Sequence, residues 1–162
     1  MEMVLTPKER RLVDYAKPAI VAYNQMRHQR GGMDTLYSFL MSDSGKIYEG
    51  LCFEPNIAQA TVCGERHAIQ NMVLKESYKA KIETILVADP VPEVQKNNTP
   101  PCGTCRHLIW QFGKPDATVI LMQYIQRKRG WVFPKLVKYS IKELYPHPYE
   151  PVEDLWDGWE PK

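Results

Sequence analysis

The chain has 162 residues, 44% of them hydrophobic and 25% charged, with a formal net charge of +2. That balance fits one globular domain with room for a sizeable core, and no apolar stretch is long enough to span a bilayer. A charge this small argues against an extended nucleic-acid groove, since the one basic run, Arg127-Lys128-Arg129, falls where a hairpin turn is expected.

The N-terminal residues lack a secretory-type apolar segment, so a cytoplasmic protein is expected. In that reducing compartment four cysteines point to metal binding or catalysis rather than disulfides. Thr6-Pro7-Lys8-Glu9 has the form of a helix start: Thr as N-cap, Pro in the first position, Glu three residues after the cap. A helix to about Met26 follows, with Leu12, Ala16, Ile20 and Tyr23 on one face and a bend or interruption expected at Pro18. After the Gly31-Gly32 break, residues 36–41 and 46–53 read as a hairpin around Ser42-Asp43-Ser44-Gly45.

Residues 66–79 read as a helix with Ile69, Met72 and Val73 inward, and 82–88 as a short, nearly all-apolar strand of a covered sheet. The stretch 89–101 carries four prolines and two asparagines, which makes it a loop. A helix over 103–112, strands over 117–123 and 131–137, and a short helix over 140–144 complete the order. That order, α-β-β-α-β-α-β-β-α, predicts an α/β domain whose sheet is covered by helices. The domain is expected to occupy residues 1–149, leaving 150–162 as an acidic extension containing Trp156 and Trp159.

Two short segments carry the chemistry. Cys63-Gly64-Glu65 opens one predicted helix, and Pro101-Cys102-Gly103-Thr104-Cys105 opens another. The C-x-x-C spacing lets two sulfurs reach one ion, and Cys63 supplies a third, so the three thiolates suit one zinc ion per chain. A carboxylate two residues from the first thiolate can reach a water in the fourth position and carry its proton, which makes Glu65 the candidate catalytic residue. Three thiolates leave Zn²⁺ with one net negative charge, so something must offset it. Two helix N-termini are one source and Arg66 is a second. The alternative is a closed structural site in which His67 or His107 adds a fourth ligand, making the chain a non-catalytic zinc-stabilised module.

C-x-E with P-C-x-x-C is the pattern of zinc-dependent base deaminases. The sequence resembles the cytidine deaminase family in its free-nucleoside, three-cysteine branch. Cys63-Gly-Glu-Arg66-His-Ala-Ile is similar to that family's C-A-E-R-T-A-I, and Pro101-Cys-Gly-Thr-Cys-Arg106 to its P-C-G-A-C-R. Gly45-Lys-Ile-Tyr-Glu-Gly50 and Ile141-Lys-Glu-Leu-Tyr-Pro146-His-Pro-Tyr149 resemble its second strand and its C-terminal segment. The resemblance runs from about Tyr37 to Tyr149. It implies a three-layer α/β/α fold with a mixed five-stranded sheet and a homo-oligomer, usually a tetramer, in which neighbouring chains complete each site. It implies Cys63, Cys102 and Cys105 as zinc ligands, Glu65 as proton shuttle and Arg66 as neutraliser. It also implies hydrolytic deamination of a small free nucleoside, with no nucleic acid or membrane as partner.

The departures concern substrate. The family's ribose-binding N-x-E-N corresponds here to Cys52-Phe53-Glu54-Pro55, which keeps the Glu and loses both amides. Counting back from Gly45 puts Asp34 where the family has a Phe that packs on the base. Cys52, Glu54 and Asp34 are therefore the candidate substrate contacts, while Phe53 and Tyr37 are expected in the core. These substitutions leave cytidine-like nucleosides, other aminopyrimidines and antibiotics of the blasticidin S type as possible substrates. Acidic residues in the extension would favour a cationic one.

Overall fold

The computed structural model describes residues 4–148, so the acidic extension and Tyr149 lie outside the described residues. A helix α1 (Pro7–Gln29) precedes a hairpin of β1 (Tyr37–Ser42) and β2 (Ile47–Leu51). Then come α2 (Gly64–Glu76), β3 (Ile82–Pro90), α3 (Gly103–Phe112), β4 (Gly113–Arg127), β5 (Gly130–Ser140) and α4 (Ile141–Leu144). One mixed sheet has the order β2-β1-β3-β4-β5, in which only β3 and β4 run parallel. This is the expected α/β fold with a five-stranded sheet, and no helix among the described residues is long and apolar enough to cross a membrane.

Side-chain alternation along the strands divides the core into two layers. On one face, α1 packs Leu12, Val13, Ala16 and Ile20 against Tyr37, Phe39, Leu86, Ile120 and Met122. On the other, Ala68, Ile69 and Met72 of α2 and Ile109 of α3 pack against Leu40, Ile85, Val87, Val119 and Leu121. The helix start at Thr6 is realised as a reciprocal pair of bonds: Glu9 N–H donates to Thr6 Oγ1, and Thr6 N–H donates to the Glu9 carboxylate at 2.7 Å.

Three expectations need correction. Of the bend or interruption expected at Pro18, the interruption is absent: helix α1 runs through it. Pro18 and Asp14 both lie on the exposed face, where water can satisfy the carbonyl that the missing N–H leaves bare. β4 and β5 extend well beyond 117–123 and 131–137, because their antiparallel ladder continues to the Arg127–Gly130 pair at the turn. A two-stranded ribbon needs no apolar pattern to keep its backbone bonds, so periodicity understates its length. Phe53 lies outside the core, 53% exposed.

The approach of α2 to the sheet sets the site, and Gly50 makes it possible. A Cβ at Gly50 would stand 2.1 Å from the Gly64 carbonyl oxygen and 2.6 Å from the Ala68 amide nitrogen, both backbone atoms that cannot rotate away. Gly50→Ala is therefore expected to push the first turn of α2 off the sheet at a cost of about 1–3 kcal/mol. An unchanged melting midpoint would contradict that.

Candidate active site

Cys63 and Cys102 are the N-cap residues of α2 and α3. Their carbonyls accept the first helical bonds, from His67 N–H and Arg106 N–H, while neither thiol is used as a cap. Both sulfurs are thus free to face outward from helix N-termini, where the partial positive charge favours thiolate. Cys105, one turn into α3, is fully buried. The three Sγ atoms lie within 4.8 Å of one another, with Cys63 and Cys102 separated by 3.9 Å. None forms a disulfide.

This is the one cluster of metal-ligating side chains among the described residues, and it contains neither candidate fourth ligand. His107 stacks near Trp110 and approaches the Tyr145 hydroxyl at 3.3 Å, while His67 lines a groove beside β2. The electrostatics also call for a cation. Burial pushes the Cys63 thiol up, with Cys102 and Glu65 adding to the effect, and burial and the Glu65 charge raise Cys105 strongly. Cys102 moves the other way: burial alone would raise it, but the Cys105 backbone N–H and both neighbouring thiols bring it below the ordinary value. Three soft sulfur donors whose like negative charges repel one another fit Zn²⁺, and a tetrahedral ion held by them would keep one position open.

Glu65 sits on the first turn of α2 and is only 7% exposed. Burial raises its carboxyl above the usual range, outweighing its own backbone N–H, the Ser38 hydroxyl and the Cys105 thiol, which favour the charged form. The Ser38 hydroxyl lies at the β1–α2 contact, 3.0 Å from where a Gly64 Cβ would be. It is buried and makes no hydrogen bond of good geometry with another described residue. Sequence reasoning missed Ser38, because only the docking of α2 on β1 brings it to the carboxylate. It also gave no role to Arg106, whose Nε donates to the Pro101 carbonyl at 2.8 Å and whose Nη1 donates to Leu144. Its place in the P-C-x-x-C-R motif was the available signal.

The other expected residues divide into two groups. A reciprocal backbone pair between Phe53 and Val62 sets Cys52 opposite Cys63. There the Cys52 thiol is pushed up to about 11 by burial and by the charges of Glu54, Cys63 and Glu65. Glu54 is exposed beside it. Asp34 is drawn elsewhere: its carboxylate binds His28 Nε2 at 2.7 Å and accepts from Trp131 Nε1 at 2.9 Å, beside Pro90 and Ile125. The Arg66 side chain, half-buried next to Glu65, makes no hydrogen bond or ion pair with another described side chain.

Three sulfurs at two helix ends, with a buried carboxylate beside them, are a set of groups that can hold a metal ion next to a proton carrier. Residues 14–122, more than half of the chain, match the family described as the cytidine and deoxycytidylate deaminase zinc-binding region. The chain belongs to that family, and it is a zinc-dependent hydrolytic deaminase. Among solved structures it is similar to the cytidine deaminase of Burkholderia pseudomallei, with a TM-score of 0.60 and 18% identity over 83% of this chain and 99% of that one. The cytidine deaminase of Bacillus anthracis gives a TM-score of 0.57 at 17% identity, covering 86% of this chain and 88% of that one. Likeness at such identity is one of fold.

Proposed function

We propose that this chain removes the exocyclic amine from a small free cytidine-like nucleoside or aminopyrimidine, consuming water and releasing ammonia. Cys63, Cys102 and Cys105 would hold the zinc. The observation that carries the reading is the buried Glu65 carboxylate beside that cluster, its pKa raised by burial. Bound there, Zn²⁺ supplies a Lewis acid that makes water nucleophilic at neutral pH.

The chain's own residues do the rest. A carboxylate with a raised pKa is a stronger base than an exposed one, so Glu65 takes the proton of the attacking water. It then returns that proton to the ring nitrogen, and a second transfer lets the amine depart as ammonia. The backbone N–H of Glu65 holds the carboxylate in place between transfers. The N-termini of α2 and α3 offset the excess negative charge of three thiolates, and Arg66 adds to them. Cys52 and Glu54 border the substrate. The Asp34 carboxylate, engaged by His28 and Trp131, orders the loop before β1 instead.

Substrate identity is tested by an ammonia-release screen over cytosine, cytidine, deoxycytidine, their ring-modified forms and blasticidin S. Turnover of at least one free cytidine-like compound is expected, with zinc present. Ammonia from none of them, by protein that retains zinc, would overturn the assignment to cytidine-like rings.

A further inference from the structure

Cys102 is delivered by a loop, residues 91–101, that has no regular secondary structure and is exposed along most of its length. Such a segment does not hold a sulfur in place by itself. Three side chains in one row across the sheet do so instead. Asp89 of β3 pairs with Gln123 of β4, and Gln123 pairs with Lys135 of β5, so all three project from the same face. That face is the one carrying Val119 and Leu121, against which α3 packs.

Each member of the row grips the loop. Gln123, fully buried, accepts from Gln95 N–H at 3.0 Å through Oε1. Its amide nitrogen donates to Gln95 O at 3.0 Å, Asn97 O at 3.2 Å and Asn98 Oδ1 at 3.2 Å. Lys135 Nζ donates to Gln95 O at 3.1 Å and to Lys96 O. Asp89 accepts from the Thr99 hydroxyl, three residues before Cys102. Asn98 in turn donates to the Leu121 carbonyl at 2.9 Å, and Arg106 ties down the Pro101 carbonyl.

A buried primary amide suits this task because it donates and accepts at once, meeting both the N–H and the C=O of Gln95. Leaving the buried Gln123 amide without partners is costly, so its bonds to the loop favour one loop conformation. We propose that the Asp89–Gln123–Lys135 row, with Gln123 at its centre, is the positioning device that presents Cys102 to the metal. This rests on the reading that Cys63, Cys102 and Cys105 hold zinc. Gln123 bonds to Gln95, Asn97 and Asn98 of the loop and would act on the site through it.

The test is the rate at which zinc-loaded protein passes its metal to a chromophoric chelator, at a temperature well below melting. Gln123→Met keeps the side-chain volume and removes every bond to the loop; it is expected to release zinc about 10–100-fold faster, as when partners that orient metal ligands are lost. Val13→Ala, on α1 across the sheet, serves as a destabilised control and is expected to release zinc at the wild-type rate. Release by Gln123→Met within about twofold of wild type, or equal acceleration in Val13→Ala, overturns the proposal. If Gln123→Met does not fold, Lys135→Ala decides: faster release supports the row and unchanged release overturns it. Wild-type protein that never binds zinc removes the underlying reading as well, whereas zinc-binding protein with an indifferent row removes only this inference.

Discussion

Glu65→Gln is expected to lower turnover by about 10²–10⁴-fold, the range that a positioned proton carrier contributes, while leaving zinc content at the wild-type level. The amide keeps the shape of the carboxyl and can still receive the Glu65 backbone N–H, but it cannot take a proton from water. Stability is expected to move little, and its sign follows from the raised pKa. A carboxyl whose folded-state pKa lies above its unfolded value destabilises the fold once pH exceeds the unfolded value, because burial opposes the charge. Substituting a neutral amide removes that cost, so at neutral pH the variant should melt no lower than wild type. Turnover, zinc content and melting are measured on one preparation. Undiminished turnover with zinc retained would sink the role given to Glu65. Lost turnover with lost zinc would place Glu65 in metal binding instead.

The parts of this site that were legible in the sequence are those whose geometry is local. Cys102 and Cys105 share one helical turn, and Cys63 and Glu65 share another, so spacing alone placed each pair at a helix start. The Thr6–Glu9 helix start was readable for the same reason. Contacts made across the sheet were not readable. Gln123 is an unremarked polar residue in an apolar strand until the 91–101 loop folds over it, and Ser38 is one hydroxyl of a strand until α2 docks. Counting residues failed to predict the contacts of Asp34, because its carboxylate is captured by His28 and by Trp131 on a distant strand. Phe53 read as core by residue type. A reciprocal bond pair with Val62 fixes its backbone at the start of an exposed loop, so the residue stays exposed.

Cys105→Ser is expected to abolish both zinc binding and turnover, and it separates the metal's contribution from that of the carboxylate. Of the three sulfurs, Cys105 is the one with no route to solvent, so no water replaces it as a ligand without repacking. A serine hydroxyl is a harder donor and a far weaker acid than a thiol, so it does not supply the anionic ligand that zinc takes from cysteine. Zinc that binds the folded chain stabilises it by mass action, about 4 kcal/mol when free metal exceeds its dissociation constant a thousandfold. The variant should therefore resemble chelator-treated wild type in its melting midpoint, and added zinc should restore the treated wild type alone. Binding should also weaken as pH falls. Burial raises the Cys63 and Cys105 thiols, so both lose protons as the metal enters, and acid reverses that exchange. Metal content and melting midpoint measured across pH for wild type and Cys105→Ser test the whole chain of reasoning. A variant that keeps one zinc per chain and normal turnover would show that the metal is held elsewhere.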